Sequence, residues 1–213
     1  MSEQDKLNTD LNISEPVSNN GQAEPNNPKQ SFASTLIDYA EIFAVALSLV
    51  IIIFSLFIRV CEVKGPSMEN TLVEGEKLIV SNLFYTPKRG DVIVFHQTGT
   101  LNEPVVKRVI ATAGEKVNID FDDYGKVTIT DVDGNEFVLD EFDYKNLDSD
   151  YAMIKSDFEL PYTVPEGCIF VMGDNRNHST DSRSFLIGPV DERRVLGKVV
   201  LRITPFDRFG KVD

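Results

Sequence analysis

Ser67, in the stretch "KGPSMENTL", is a nucleophile only if a neighbouring group takes its proton, because a serine hydroxyl is almost wholly un-ionised at neutral pH. A base must therefore be found elsewhere in the chain. Of the two histidines, His96 ends a strand-like pattern and His178 lies in a polar loop, so a Ser-His-Asp triad requires partners chosen freely. A GxSxG elbow is absent, and Asn70 stands where an SxxK motif would need lysine. What remains is a lysine elsewhere, which must be neutral to act and so needs burial or nearby positive charge. Lys107, in "VVKRVI", is the best candidate. It interrupts a β-branched run, so strand alternation sends Lys107 and Arg108 to opposite faces and one of them leaves water. The alternative is an edge strand with both cations solvated.

A third segment, "GDNRNHSTDSRSF" from Gly173 to Phe185, follows the apolar run "CIFVM" and packs two Asp, two Arg and three Ser together. Ion pairs and hydroxyls at that density suit a site wall that locks side chains in place, although an ordinary polar connection has a similar composition. Metal chemistry is not expected. Only two histidines are present, no HExxH occurs, and Cys61 and Cys168 lack a metal-type spacing, so no metal and no cofactor is assigned. The net charge of −13, with no basic cluster, argues against a nucleic-acid partner.

The elements that must position these residues are also legible. Residues 1–31, rich in Asn, Gln, Ser, Glu and Pro, cannot offset their ordering entropy by burial and are expected to be a disordered tail. Ile42 to Ile58 is free of charge and, with its flanks, close to the roughly 20 residues of a spanning helix, so residues 32–60 are read as a transmembrane anchor region. A buried core helix would show a polar stripe, and a cleaved signal would begin with a basic region. Arg59 and Lys64 follow the run while Asp38 and Glu41 precede it, which by local charge alone favours a cytoplasmic C-terminal part. Beyond it, residues 61–213 alternate in short β-branched segments punctuated by turns such as "PKRGD" and "DVDGN", giving a mainly β fold. Residues from about 120 to 160 are read as a solvated, loop-rich acidic insertion. Asp133-Gly134 is a hairpin turn rather than a calcium loop, and Arg89-Gly90-Asp91 is a turn between strands rather than an adhesion motif.

Taken in order, the anchor, "GPSMENTL", "RGDVIVF", "VVKRVIATAGE" and "GDNRNHSTDSR" resemble the bacterial type I signal peptidases, in their Gram-positive-like form with a single anchor. The resemblance extends from the anchor nearly to the C-terminus. It implies a signal-peptidase-like β-sheet domain behind an N-terminal transmembrane helix, and a membrane-anchored Ser-Lys endopeptidase that removes signal peptides from secretory preproteins. Ser67 would be the nucleophile and Lys107 the general base. Ser179 would hydrogen-bond and orient the lysine, and Asp181, Arg183 and Asp174 would support the site. Independently of the resemblance, the position of Met68 beside Ser67 makes it a candidate to line a shallow substrate pocket, with core packing as the alternative. The family also implies a cytoplasmic tail and an extracytoplasmic catalytic domain, against the local charge count, with the bilayer and the signal peptide as partners and a monomeric state.

Some positions depart from the commonest family pattern. Asn70 and Ala113 replace prolines, Leu186-Ile187 lengthen the stretch before "GPV", and Gly65 stands where some members carry a hydroxyl that assists the oxyanion. Two other readings compete. A self-cleaving repressor-like protease shares the Ser-Lys chemistry but would carry a helix-turn-helix domain in place of the tail and anchor. A catalytically silent, membrane-tethered β-domain would bind a partner through its acidic face.

Overall fold

The computed structural model describes residues 32–97, 103–147 and 153–212. The tail expected at 1–31 lies outside them. A mostly apolar sequence forms helix α1, Phe32–Phe57, none of whose residues is buried. Its 26 residues exceed the roughly 20 needed to cross a bilayer, so it fits a single-pass membrane anchor. The helix starts ahead of the uncharged run and takes in Asp38 and Glu41. It also ends before the run does: Ile58 to Val60, placed in the anchor region by sequence, are strand. The chain divides into two compact units between Leu47 and Ser48, within α1, and the second unit contains every strand.

Among its described residues eleven strands succeed one another: β1 (Ile58–Glu62), β2 (Lys77–Ser81), β3 (Val92–His96), β4 (Pro104–Ala111), β5 (Lys116–Asp120), β6 (Lys126–Thr130), β7 (Glu136–Val138), β8 (Tyr162–Thr163), β9 (Cys168–Met172), β10 (Val190–Asp191) and β11 (Val195–Thr204). They form a seven-stranded sheet, β1-β2-β11-β3-β4-β9-β10, and a four-stranded sheet, β7-β6-β5-β8, with every neighbour antiparallel. The small sheet shows the alternation of strands with one dry face: in "KVNID" Val117 and Ile119 are buried while Lys116, Asn118 and Asp120 are exposed. β3 lies in the middle of the large sheet and is buried on both faces. Val92 and Val94 pack with Met68, Leu72 and Val80, while Ile93 and Phe95 pack with Val109, Ile169 and Val171.

Two expectations about this region change. The acidic stretch supplies β6 and β7, as the alternation in "KVTIT" and "EFVLD" predicts, but it is not solvated throughout, since it buries Glu141 and Met153. Nor does strand alternation leave one of Lys107 and Arg108 in water: each is 2% exposed, because β4 is an inner strand covered on both faces. The Arg89-Gly90-Asp91 turn is consumed by the fold. Arg89 pairs with Glu115, Asp91 accepts from Tyr85 Oη at 2.8 Å and from Lys198 Nζ at 2.6 Å, and the Gly90 carbonyl accepts from Arg108 Nη1 at 2.8 Å.

Candidate active site

The turn that carries Ser67 is held at both ends by the chain around it. Before it, Val63 exchanges main-chain hydrogen bonds with the Gly75-Glu76 turn, its N–H donating to Glu76 O and its carbonyl accepting from Gly75 N. After it, Leu72 N donates to Met68 O at 2.8 Å, and the side chains of Met68 and Leu72 are sunk into the core. Gly65, at φ +73, supplies the left-handed residue that lets the chain reverse between these fixed points. Ser67 is thereby left half-buried at the edge of a cavity of about 220 Å³.

β4 brings Lys107 to the same cavity. Its Nζ donates to Ser67 Oγ at 2.7 Å and to Val106 O at 3.0 Å. Burial pushes the amine down from 10.5 to about 8, with the carboxylates of Asp181 and Asp174 pulling the other way and Arg183 adding to the depression. A lysine in this state is still protonated at neutral pH but loses its proton just above it. Once neutral, it can accept the proton of a hydroxyl 2.7 Å away.

The loop after β9 forms the wall behind the pair. Ser182 folds back on β9, its N–H donating to Val171 O and its Oγ accepting from Val171 N. Between these ends lies a closed network. Asp181 accepts from Arg183 Nε and Nη2, each at 2.8 Å, from Gly173 N at 3.0 Å and from Ser179 Oγ at 2.7 Å. Burial alone would raise the Asp181 carboxyl, but the Arg183 guanidinium and these N–H and O–H donors hold it below the usual carboxylate range. Asp174 is paired with Arg108 through two hydrogen bonds of 2.9 Å, and the Arg108 guanidinium stacks on Tyr144. Gly173 is squeezed between Ser179 and the Ser67 carbonyl, where any Cβ would collide with both.

The structure therefore brings together Ser67, Met68 and Lys107 in one cavity, with Asp174, Ser179, Asp181 and Arg183 in the wall beside it. One contact differs from what the resemblance implies. The Ser179 hydroxyl donates to Asp181, whose charge acts on Lys107, in place of a direct bond to the lysine. Ser179→Ala is accordingly expected to lower kcat by about 10- to 100-fold, the scale of one hydrogen bond to a charged group. Steady-state kinetics check this, and a loss as large as that from removing Lys107 would contradict it. Neither histidine lines the cavity. No cluster of three or more His, Cys, Asp or Glu suited to a metal occurs among the described residues.

Two contributors are not singled out by sequence. Asn175 donates its N–H to Ser67 O and its side-chain amide to Pro66 O, each at 3.1 Å. Its position two residues after Gly173, in a loop leaving a core strand, is the only hint. Ile187, within the lengthened segment, also lines the cavity, together with Glu62, Lys64, Glu103 and Val105.

Comparison with known proteins identifies the family of the chain. Residues 36–204 match the family described as signal peptidase, peptidase S26. A signal peptidase IB of Staphylococcus aureus strain Mu50 is 32% identical over 188 residues, covering 82% of this chain and 92% of that protein. A signal peptidase I of Leptolyngbya laminosa is 33% identical over 161 residues, 70% of each. Among solved structures, a signal peptidase I from Enterococcus faecalis V583 aligns with a TM-score of 0.41 at 32% identity, covering 55% of this chain and 98% of that one. With a family match from residue 36 to 204, which takes in most of the apolar N-terminal helix and the mainly β body, the chain belongs to the signal peptidase family, peptidase S26.

Proposed function

We propose that this protein is a membrane-anchored serine endopeptidase that cleaves signal peptides from exported preproteins, with Ser67 as nucleophile and Lys107 as general base. The observation that carries the reading is the 2.7 Å contact between Lys107 Nζ and Ser67 Oγ at a lysine depressed to about 8. Neutral Lys107 takes the Ser67 proton as Oγ attacks the scissile carbonyl carbon, and the main-chain N–H of Ser67 stabilises the oxyanion in the absence of a hydroxyl at Gly65. Collapse of the tetrahedral intermediate breaks the C–N bond, the new amine of the mature protein takes the proton from Lys107, and an acyl-enzyme remains. Water then attacks, giving its proton to Lys107; as the second intermediate collapses, the C–O bond to Ser67 breaks, Ser67 Oγ takes that proton back from Lys107, and the signal peptide leaves as an acid that ionises to its carboxylate in solvent. Asp174, Ser179, Asp181 and Arg183 hold the lysine and the loop in place. With α1 in the bilayer and the tail in the cytoplasm, the catalytic domain, residues 61–213, stands outside as a monomer and meets substrates held at the same surface, which raises their effective concentration.

Substrate is proposed to enter as an added strand. β4 pairs with β3 from Pro104 onward but with β9 only from Arg108, so the edge of Pro104 to Lys107 facing the cavity is open. An extended peptide laid there can bond to the main chain and send alternate side chains into the space bounded by Met68, Val105 and Val106. A cavity of about 220 Å³ admits small side chains. The test is cleavage of a secreted precursor in detergent, with Ala, Phe or Lys at the first and third positions before the scissile bond. Ala is expected to be cut well and the larger residues poorly. Indifference to size at both positions, or a folded wild type that cuts no precursor, would overturn the reading, the latter in favour of a binding module.

A further inference from the structure

The proposed chemistry leaves unused the dense acidic stretch after β7 and the arginine of the "GDNR" loop, and the two meet in the interior. Arg176 is fully buried, and its counter-charge is Glu141, 7% exposed. Both terminal nitrogens of Arg176 donate to the Glu141 carboxylate, with Nη1 to Oε2 at 3.1 Å, while Nε donates to Gly173 O at 3.1 Å. The main chain repeats the connection. Asn146 N donates to Asp174 O at 2.8 Å and Arg176 N donates to Asn146 O at 2.9 Å, so the acidic segment runs beside the loop as a short parallel bridge. Lys145, 3.6 Å from Glu141, ties this segment to the turn between β5 and β6 by donating to the carbonyls of Tyr124 and Gly125.

The residue between Asp174 and Arg176 is Asn175, which grips the carbonyls on either side of the Ser67 α-carbon. A continuous line of bonds therefore runs from Glu141 through Arg176 and Asn175 to the nucleophile turn. Removing the carboxylate strands a guanidinium with no access to water, a situation that forces the side chain, and the loop attached to it, to move. We propose that Glu141 is a positioning residue for the Ser67–Lys107 reaction, acting through Arg176 and Asn175 to fix the turn that aims Ser67 Oγ. The inference rests on Ser67 being the nucleophile. It gives the acidic segment a task of its own: one buried carboxylate among many solvated ones braces the catalytic loop from behind.

The experiment uses the full chain in detergent with one secreted precursor. Glu141→Ala and the near-isosteric Glu141→Gln are assayed below their melting temperatures, with Glu141→Asp as the conservative rescue and exposed Asp143→Asn as the surface control. Displacement of reacting atoms by about 1 Å can cost 10²-fold, so kcat is expected to fall about 10- to 100-fold in Glu141→Ala and Glu141→Gln. KM should stay within about threefold, because the groove beside β4 is untouched. The acid limb of kcat/KM should stay in place, because the charges acting on Lys107 are Asp181, Asp174 and Arg183. Glu141→Asp should recover part of the loss, and Asp143→Asn should match wild type. Amide hydrogen exchange across residues 66–72 should quicken in Glu141→Gln, reporting the loosened turn. If Glu141→Ala does not fold, Glu141→Gln decides the matter together with Asn175→Ala, which removes the side-chain bond to Pro66 O. Full kcat in folded Glu141→Gln, with only a lower melting temperature, would overturn the inference and leave the pair a purely structural one. Ser67→Ala, assayed alongside, separates the two possible failures. If it still cuts, the nucleophile assignment falls; if it is inactive while Glu141→Gln is fully active, only the positioning role falls.

Discussion

Lys107→Met is expected to lower kcat by about 10² to 10⁴-fold or more, the range typical of a general base on which a nucleophile depends. The variant keeps a side chain of similar length in the buried site but removes the group that accepts the Ser67 proton. Lys107→Arg should not restore activity, since a guanidinium stays protonated at any working pH. The wild-type pH profile offers an independent check. The active form is the neutral amine, so kcat/KM should rise with pH through a limb near 8, where the folded protein gives up the proton, rather than near 10.5. Stability carries the same signature. Below about pH 8 both folded and unfolded chains carry the proton, and the folded state bears the full cost of a buried cation. Between 8 and 10.5 only the unfolded chain remains protonated, so folding releases a proton and stability rises with pH. The depression corresponds to roughly 3 kcal/mol. Lys107→Met should therefore be more stable than wild type at pH 7, by up to that amount, and the advantage should vanish above about pH 10.5. Denaturant melts at pH 7 and 11 measure the difference. A folded Lys107→Met protein with wild-type kcat would defeat the Ser-Lys mechanism.

Ser67→Ala should abolish processing, with a loss on the order of 10⁴-fold or more, because a nucleophile and its base act as a unit and removing one idles the other. Folding should survive. Ser67 is half-buried, its turn is held by Val63, Met68 and Leu72, and the bonds from Asn175 reach main-chain carbonyls that alanine retains. The substitution also leaves Lys107 with Val106 O as its remaining acceptor. The measurement is single-turnover cleavage of a precursor by wild type and variant at equal concentration of folded protein. Comparable rates would end the assignment of Ser67.

Much of this was readable before any tertiary information. A charge-free run, apolar but for Ser48 and Ser55, becomes a helix that fits a membrane anchor because it is long enough to span a bilayer and none of its residues is buried against a core. Strands such as "KVNID" and "KVTIT" announce their dry face by alternation, a property of single residues and their neighbours. Ser67, Lys107 and the Gly173–Arg183 loop can be named because elimination of other bases and the order of the motifs are both properties of the linear chain.

What the linear chain left open depends on contacts between distant segments. Alternation separates Lys107 from Arg108, but whether either meets water is set by what covers β4, and both faces turn out to be covered. The depressed lysine is therefore a product of packing. Ser179 shows the same division: its presence in the loop is sequence, whereas its choice of Asp181 as acceptor is geometry. Glu141 is the extreme case. Nothing in its local sequence distinguishes it from Asp140 or Asp143, which are less buried, because burial of a charge is tolerated only where a partner waits, and Arg176 arrives from 35 residues away. Residue types, their periodicity and the order of the motifs thus pointed to the apolar helix, the β body and the candidate pair Ser67 and Lys107. Solvent exclusion, which no local pattern encodes, lowers the pKa of the lysine and sets one buried carboxylate, Glu141, apart from its solvated neighbours.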